Sequence, residues 1–385
     1  MKNLLFDNFP LVRASAQLEF TTSYKALLNK IDKFEVEKYA ATRNFVGGAV
    51  SRLSPYISRG VISPKLILSR LNDRGINPLR ITKFVQELAW REHWQRVLLN
   101  EGERVNSDLR RDQALVESRK MPAAVIRAQT GIHSIDSGIK ELYTTGYMHN
   151  HVRMYVASVA SNIARCHWKI PARWMYFHLL DGDWASNTLN WQWVAGTISS
   201  KRYFANQQNI NRFTGTEQSG TFLDFGYKDI ASQPVPKLLE KKELPVLDTD
   251  LPERKPIEFE SGIPTVLYNT YSLDPNFKAG ITANRVLLLE PSHFKRFAVS
   301  ETVLKFCLEL AGNIEDIQVY VGEFEDFVSE FKPIEVHFKD HPLFDHYEGT
   351  PAQRDWVFDV EGYQKNFYGF WKQCERQLPR LSEEL

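Results

Sequence analysis

From about Thr22 to Gln207, apolar positions recur three and four residues apart, most clearly over Ile81–Leu98, Ser137–Tyr143 and His149–Ala164. That period predicts helices, and strand signals are scarce there. The pattern breaks between Ala231 and Pro264, where Pro234, Pro236, Pro245, Pro252, Pro256 and Pro264 alternate with charged residues, including the run Glu240–Glu243. Such a stretch predicts a linker that wraps or spaces. Beyond it come short apolar runs, Thr265–Tyr268, Val286–Leu289, Ile317–Val321 and Ile334–Phe338, separated by helical segments such as Ser300–Ala311. The alternation predicts a small α/β sheet. The expected organisation is a multidomain α and α/β chain: a helical domain over 1–228, a proline- and charge-rich linker over 229–262, and a small α/β domain over 263–385 with a C-terminal helix. In that last helix Tyr363, Phe367 and Trp371 read as core packing.

Composition narrows the possibilities. At 385 residues, 43% hydrophobic and 25% charged, the chain buries a substantial core. The 48 basic and 47 acidic side chains leave a formal net charge of +1, so any affinity for nucleic acid must come from a local basic face. Cys166, Cys307 and Cys374 stand far apart without a CxxC pair, which argues against a disulfide framework, a zinc site or a four-cysteine cluster and predicts a reducing, cytoplasmic setting. The first residues, MKNLLFDNFP, break their apolar run with Asp7 and Pro10 and make a poor signal peptide. No apolar run approaches the roughly 18 residues of a membrane span, so no membrane partner is expected. Neither GxGxxG nor GxxxxGK[ST] occurs, so a bound dinucleotide would have to be held by helices.

Four stretches carry the candidate chemistry. In SRLSPYISRG, Ser51–Gly60, hydroxyls and an arginine precede Pro55 and a helical pattern beginning near Pro64. Such an approach to a helix offers N–H groups to phosphates, although helix capping by Ser51 and Ser54 is the commoner role. In FVQELAWREHW, Glu87, Trp90, Arg91 and Trp94 share or adjoin one helical face, and a carboxylate and a guanidinium beside two indoles predict a polar-lined aromatic pocket. In TGYMHNHVRMYVAS, Asn150, Arg153 and Met154 fall on one face. His149 and His151, two apart, are expected on different faces, and with no acidic third ligand in register no metal is expected. In LLDGDWASNTLNWQWVAG, Asp181, Asp183, Asn187, Trp191 and Trp193 crowd together after Trp168 and Trp174, an aromatic density beyond what packing requires.

Taken in order, SRLSPY, ELAWRE, TGYMHNHVRM and DGDWASNTLNWQWVAGT resemble the FAD-binding domain of photolyases and cryptochromes, most specifically in the last segment. The resemblance covers about Tyr39 to Gly215 and continues more weakly through YFANQQNINRFTG. It implies an all-helical photolyase-type FAD-binding domain in which a folded FAD is gripped by Tyr39, Ser51, Arg52, Leu53, Ser54, Phe84, Arg91, Asn150, Arg153, Asp181, Asp183 and Asn187. Arg153 and Asp181 look like a charge pair beside the flavin ring, and Asn187 is expected to face its N5. Trp191 and Trp168 match the two inner members of the family's photoreduction chain. The outermost member has no match, because no tryptophan lies between Trp94 and Trp168; Trp174, Tyr143 and Tyr155 are the available substitutes.

Glu87, Trp90, Asn150, Met154 and Trp193 match the pocket that receives a cyclobutane pyrimidine dimer flipped out of ultraviolet-damaged DNA. The implied activity is that of a deoxyribodipyrimidine photolyase, with Trp90 and Trp193 clasping the bases and Glu87 bonding a pyrimidine edge. Asn150, where a (6-4) enzyme carries histidine, favours the dimer type. The alternative is a cryptochrome-type blue-light receptor that binds FAD without repair. A blander reading makes the aromatics core filling alone. The chain also departs from the family: it enters the flavin domain almost at once and keeps its α/β segment for the end, which leaves a second, antenna chromophore unassigned. Val50, Tyr147 and His151 replace a threonine, a tryptophan and a DNA-contacting arginine. A monomer is expected.

Overall fold

The computed structural model describes residues 20–384. The amino-terminal stretch read above as a poor signal peptide lies outside the described residues. The helical region runs through α1 (Tyr24–Asp32), α2 (Val36–Thr42), α3 (Ser54–Ser58), α4 (Pro64–Asp73), α5 (Thr82–Glu101), α6 (Ala123–Ile126), α7 (His133–Thr145), α8 (Asn150–Ser158), α9 (Lys169–His178), α10 (Trp184–Ala195) and α11 (Gln207–Thr214). Ser63, Asp183 and Asn206 cap α4, α10 and α11 by accepting from backbone N–H groups one turn in. The cap expected of Ser54 falls elsewhere: Ser54 is already the first residue of α3, behind Leu53, and Ser51 only accepts from Leu53 N at 3.3 Å. Past Ser58 the loop leads to Ser63, which caps the helix at Pro64.

Helix α7 stops at Gly146, whose φ of +70° and contact with the Leu180 side chain leave no room for a Cβ. Leu180 N then donates to Gly146 O at 2.8 Å, so the turn ending α7 is tied to the loop that leads into α10. Helix α8 continues through a wider turn over Val159–Ile163, where Asn162 Nδ2 donates to Val194 O at 2.9 Å and Tyr203 O at 2.8 Å. These bonds fix α8 against the end of α10.

Segment 229–262 lies along this helical region. Its short strand β2 (Lys242–Glu243) pairs antiparallel with β1 (Met121–Pro122), and Leu239 is fully buried. Then come β3 (Thr265–Tyr268), β4 (Asn284–Leu289), α12 (Pro291–Arg296), α13 (Glu301–Ala311), β5 (Ile317–Val321), α14 (Phe324–Phe331), β6 (Val336–Lys339), β7 (Thr350–Ala352), α15 (Phe367–Glu375) and α16 (Leu378–Glu384). The five strands β3–β7 form one parallel sheet in the order β5-β4-β3-β6-β7. Alternate residues serve opposite faces: Val266, Tyr268, Leu287 and Leu289 join one apolar cluster, Leu267, Val286 and Leu288 another. A parallel sheet covered on both faces needs such unbroken apolar strands.

The first of those clusters is shared with the helical region, since Leu27, Ile31, Tyr56, Ile67, Leu68 and Phe84 pack in it with Phe306, Phe358, Phe370 and Trp371. The chain reverses direction between β3 and β6, the place where open α/β sheets hold ligands at their carboxyl ends. Here that edge meets the helical region: Leu273 N donates to Arg59 O at 2.9 Å and the Tyr176 and Tyr271 hydroxyls lie 2.6 Å apart.

Candidate functional site

Three helices and two loops bring the candidate residues together. Helix α5 is buried on several sides, including its polar residues Glu92, His93 and Gln95, so charged groups along it require partners. Arg91 Nη2 reaches Asp183 Oδ2 at 3.3 Å, and Gln95 Nε2 donates to the same oxygen. The other oxygen of Asp183 caps α10 by accepting from Ser186 N at 2.7 Å. One buried carboxylate thus starts a helix and anchors an arginine from another.

Two residues earlier, Asp181 Oδ2 takes Arg153 Nη2 of α8 at 2.9 Å, and Arg153 Nε donates to Met148 O at 2.7 Å. Gly182 between the two aspartates leaves little room for a side chain, because a Cβ there would stand 3.0 Å from the carbonyl oxygens of both Leu179 and Tyr176. The guanidinium groups of Arg52 and Arg153 lie 5.2 and 5.6 Å from the centroid of the Tyr147 ring. Arg52 holds a φ of +50°, a backbone position that non-glycine residues occupy at a cost. Arg52, Arg91, Arg153, Asp181 and Asp183 therefore converge through Tyr147 and the Asp181–Asp183 turn.

A second group lies along the same face of α5. Phe84 meets Tyr39 edge-on at 5.2 Å and Phe34 at 5.3 Å. Glu87 is held by Arg43 at 3.0 Å and by Lys83 at 2.9 Å. Burial, and then the Glu87 carboxylate, push the Tyr39 hydroxyl up to about 12. Asn187 Nδ2 donates to Ala172 O at 2.9 Å, which fixes the side chain across α9 and α10. Asn150 is exposed at the start of α8, and Met154 is half-buried one turn on.

His149 corrects the face argument given above. It stands at the N-cap position, outside the helix, where its Nδ1 accepts from His151 N at 3.2 Å, and the two rings lie 6.2 Å apart. Helical periodicity does not govern a residue that has not yet entered the helix. Among the described residues no group of three histidines, cysteines or acids could hold a metal.

The ring on Trp90 belongs to the far end of the chain. Phe367 of α15 stacks on it with centroids 3.5 Å apart and planes 9° from parallel, and Trp94 lies 5.2 Å away. Trp193 is 36% exposed and 6.1 Å from Tyr203. Trp191 and Trp168 are buried in one apolar cluster, together with Trp174. Trp174 Nε1 donates to the Tyr143 hydroxyl at 3.1 Å, and Tyr143 reaches the surface, whereas Tyr155 is buried with its hydroxyl on Asn209 Oδ1 at 2.9 Å.

Four polar atoms around the Arg91–Asp183 and Arg153–Asp181 pairs are buried without a hydrogen-bond partner: Arg91 Nε, Asp181 Oδ1, His149 Nε2 and Ser186 Oγ. Each such atom costs about 1–3 kcal/mol unless something meets it. Donors and acceptors left over beside these two pairs fit a polar ligand that bonds to both kinds.

Residues 84–226 match the FAD-binding domain of DNA photolyase. This stretch is similar to proteins of the photolyase and cryptochrome family. Tyr39 and Ser51–Ser54 precede the matched residues, and the rest of the candidate set lies within them. A deoxyribodipyrimidine photo-lyase from Streptomyces griseus is 35% identical over 161 residues, 41% of this chain and 35% of that protein. A cryptochrome DASH from Ostreococcus tauri is 28% identical over 227 residues, 54% of this chain and 39% of that protein. A crystal structure of a bacterial class III photolyase from Agrobacterium tumefaciens is 30% identical and superposes with a TM-score of 0.43, covering 50% of this chain and 42% of that one. The chain spans less than half the length of these relatives, and the similarity includes photolyases and a cryptochrome alike.

The sequence pattern did not reveal Gln95 as a second donor to Asp183, Tyr147 as the ring between two arginines, or Phe367 as the neighbour of Trp90. Gln95 lies four residues after Arg91 on the same helix, a spacing that could have flagged it. Phe367 has no such signal.

Proposed function

We propose that the chain is a flavoprotein that splits cyclobutane pyrimidine dimers in ultraviolet-damaged DNA under blue light. The observation that carries the reading is the pair of arginine–aspartate contacts, Arg153–Asp181 and Arg91–Asp183, with unmet buried atoms on Arg91 and Asp181. Tyr39, Ser51, Arg52, Leu53, Ser54, Phe84, Arg91, Asn150, Arg153, Asp181, Asp183 and Asn187 would hold FAD. When bound, FAD supplies light absorption and the electron that opens the dimer.

The chain's own contribution is positioning. Arg153 and Arg52 place positive charge beside Tyr147, which favours an anionic form of a ring bound there. Glu87, tied by Arg43 and Lys83, keeps its carboxylate oriented to bond a pyrimidine edge. Met154, Asn150 and Trp193 would border the pocket for the dimer, and Trp193 offers an exposed indole worth about 1–3 kcal/mol per stacked base. The neutral overall charge implies that DNA contacts come from local residues such as Lys83 and Arg43. Trp191 and Trp168, both buried, would carry electrons toward the flavin.

One observation favours a cryptochrome-type receptor instead. Phe367 already occupies a face of Trp90, so a base can stack there only after α15 yields. Purified protein reconstituted with FAD and illuminated with blue light in the presence of ultraviolet-damaged oligothymidine separates the two: restored thymines support repair, and photoreduction without repair supports the receptor. Protein that takes up no flavin overturns both.

A further inference from the structure

Trp168 immediately precedes α9 and is buried. Its indole Nε1–H donates to Asp108 Oδ1 at 2.6 Å, and His167 Nε2 lies 3.2 Å from the same oxygen. His167 Nδ1 accepts from Lys169 N at 3.3 Å, so its hydrogen sits on Nε2 and points into Asp108. The second oxygen, Asp108 Oδ2, accepts from Gln113 N at 2.8 Å, while Gln113 Oε1 accepts from Trp168 N at 2.9 Å. The loop carrying Asp108 is thereby locked onto Trp168 from two sides.

A carboxylate is more than packing demands for an indole N–H. Elsewhere the chain uses neutral acceptors, Asn106 Oδ1 for Trp184 at 2.9 Å and the Tyr143 hydroxyl for Trp174 at 3.1 Å. A carboxylate differs from these in two ways that matter only if the indole is oxidised: its charge stabilises a cation 2.6 Å away, and it is basic enough to take the proton. An indole radical cation is a far stronger acid than an indole.

We infer that Asp108 is the proton acceptor for Trp168 when Trp168 gives up an electron, which makes Trp168 the terminal donor of a two-indole chain. The inference rests on the proposed flavin reading. The oxidant is a photoexcited flavin, which takes one electron by way of Trp191. Trp168 loses that electron, its Nε1–H bond breaks, and an O–H bond forms on Asp108, leaving a neutral indolyl radical and a neutral carboxyl group. Charge recombination then requires the proton to return, so the separated state outlives one that holds only a cation. This arrangement compensates for the absence of any tryptophan between Trp94 and Trp168.

Asp108→Asn keeps an oxygen acceptor for the indole and removes the base. In flavin-loaded protein with a thiol reductant, transient absorption is expected to show a neutral tryptophan radical in the parent and a cation radical in the variant, with photoreduction slowed at least about tenfold. Asp108→Glu should restore the neutral radical. In flavin-free protein the Trp168 indole N–H resonance, assigned with Trp168→Phe, should lie downfield and move upfield in Asp108→Asn. An Asn variant with the parent's radical spectrum and photoreduction rate overturns this inference alone. A parent protein that binds flavin yet is not photoreduced overturns the photoreduction reading and this inference with it.

Discussion

Arg153 and Asp181 meet in a partly dry setting, with the aspartate almost wholly buried and the arginine partly so, and each is braced by a backbone group: Arg153 on Met148 O, Asp181 through its own carbonyl on Ser58 Oγ. Removing the guanidinium strands a buried carboxylate that already has one oxygen without a partner. Arg153→Gln is therefore expected to lower FAD retention about ten- to a hundredfold, on charged hydrogen bonds worth roughly 1.5–3 kcal/mol, as read by flavin fluorescence of the purified protein. The histidines beside it give a pH signature. Burial, helped by His151 and Arg153 for His149 and by Arg43 for His151, lowers both rings to about 4, and burial does the same to His93 and His178. In the unfolded chain they titrate near 6.5, so the unfolded state binds the extra protons between those values. Their stabilising contribution is complete above about pH 6.5 and is lost as the pH falls toward 4. Melting temperatures measured from pH 7.5 to 4.5 should drop across that window, and His149→Gln should flatten the drop; a flat parent profile would contradict the assignment.

At the scale of elements, α7 and α8 pack so closely that a Cβ on Gly138 would stand 2.5 Å from Val152 Cγ1. Gly138→Ala is expected to cost about 1–3 kcal/mol in denaturant unfolding, despite the better helix propensity of alanine, because the α7–α8 contact must open. The same closeness sets where Arg153 stands, one residue beyond Val152. Helix α15 poses the opposite question, whether it can leave. Its Phe367 stacks on Trp90 while Phe370, Trp371 and Cys374 are buried in the shared core, and Asn366 caps it by accepting from Gly369 N at 2.9 Å. Phe367→Ala should destabilise the fold by about 3–5 kcal/mol and free one face of Trp90. If Trp90 receives a base, affinity for dimer-containing oligonucleotide rises severalfold in a gel-shift titration; a lower melting temperature with unchanged affinity assigns Trp90 to packing.

For the whole molecule, the shared core decides what can fold alone. Leu27, Ile31, Ile67 and Leu68 cluster with residues of α13 and α15, so a fragment ending at 262 would expose the face that those helices cover. Such a fragment is expected to lack the cooperative thermal transition that the full chain should show by circular dichroism. Much of this architecture was legible. Strands β3 and β5 fall on the runs at Thr265–Tyr268 and Ile317–Val321, because strands that pack side chains on both faces are mostly apolar, with Gln318 of the edge strand β5 a polar exception. Helix α5 was equally visible from Ile81–Leu98. Strand β7 was not, since Thr350–Ala352 is a short edge strand containing a proline and facing solvent. Nor were Asp108 against Trp168 and Phe367 against Trp90, since no local period relates partners that distant in sequence. The covering of early helices by late ones also has a cost in time. Tyr24 N finds its acceptor, Asn313 Oδ1, 289 positions downstream, and a ribosome adding about 5–20 residues per second takes roughly 15–60 s to deliver it. Throughout that interval the nascent amino-terminal helices carry an uncovered sticky face, which makes this chain a natural client for chaperones that shield emerging polypeptides.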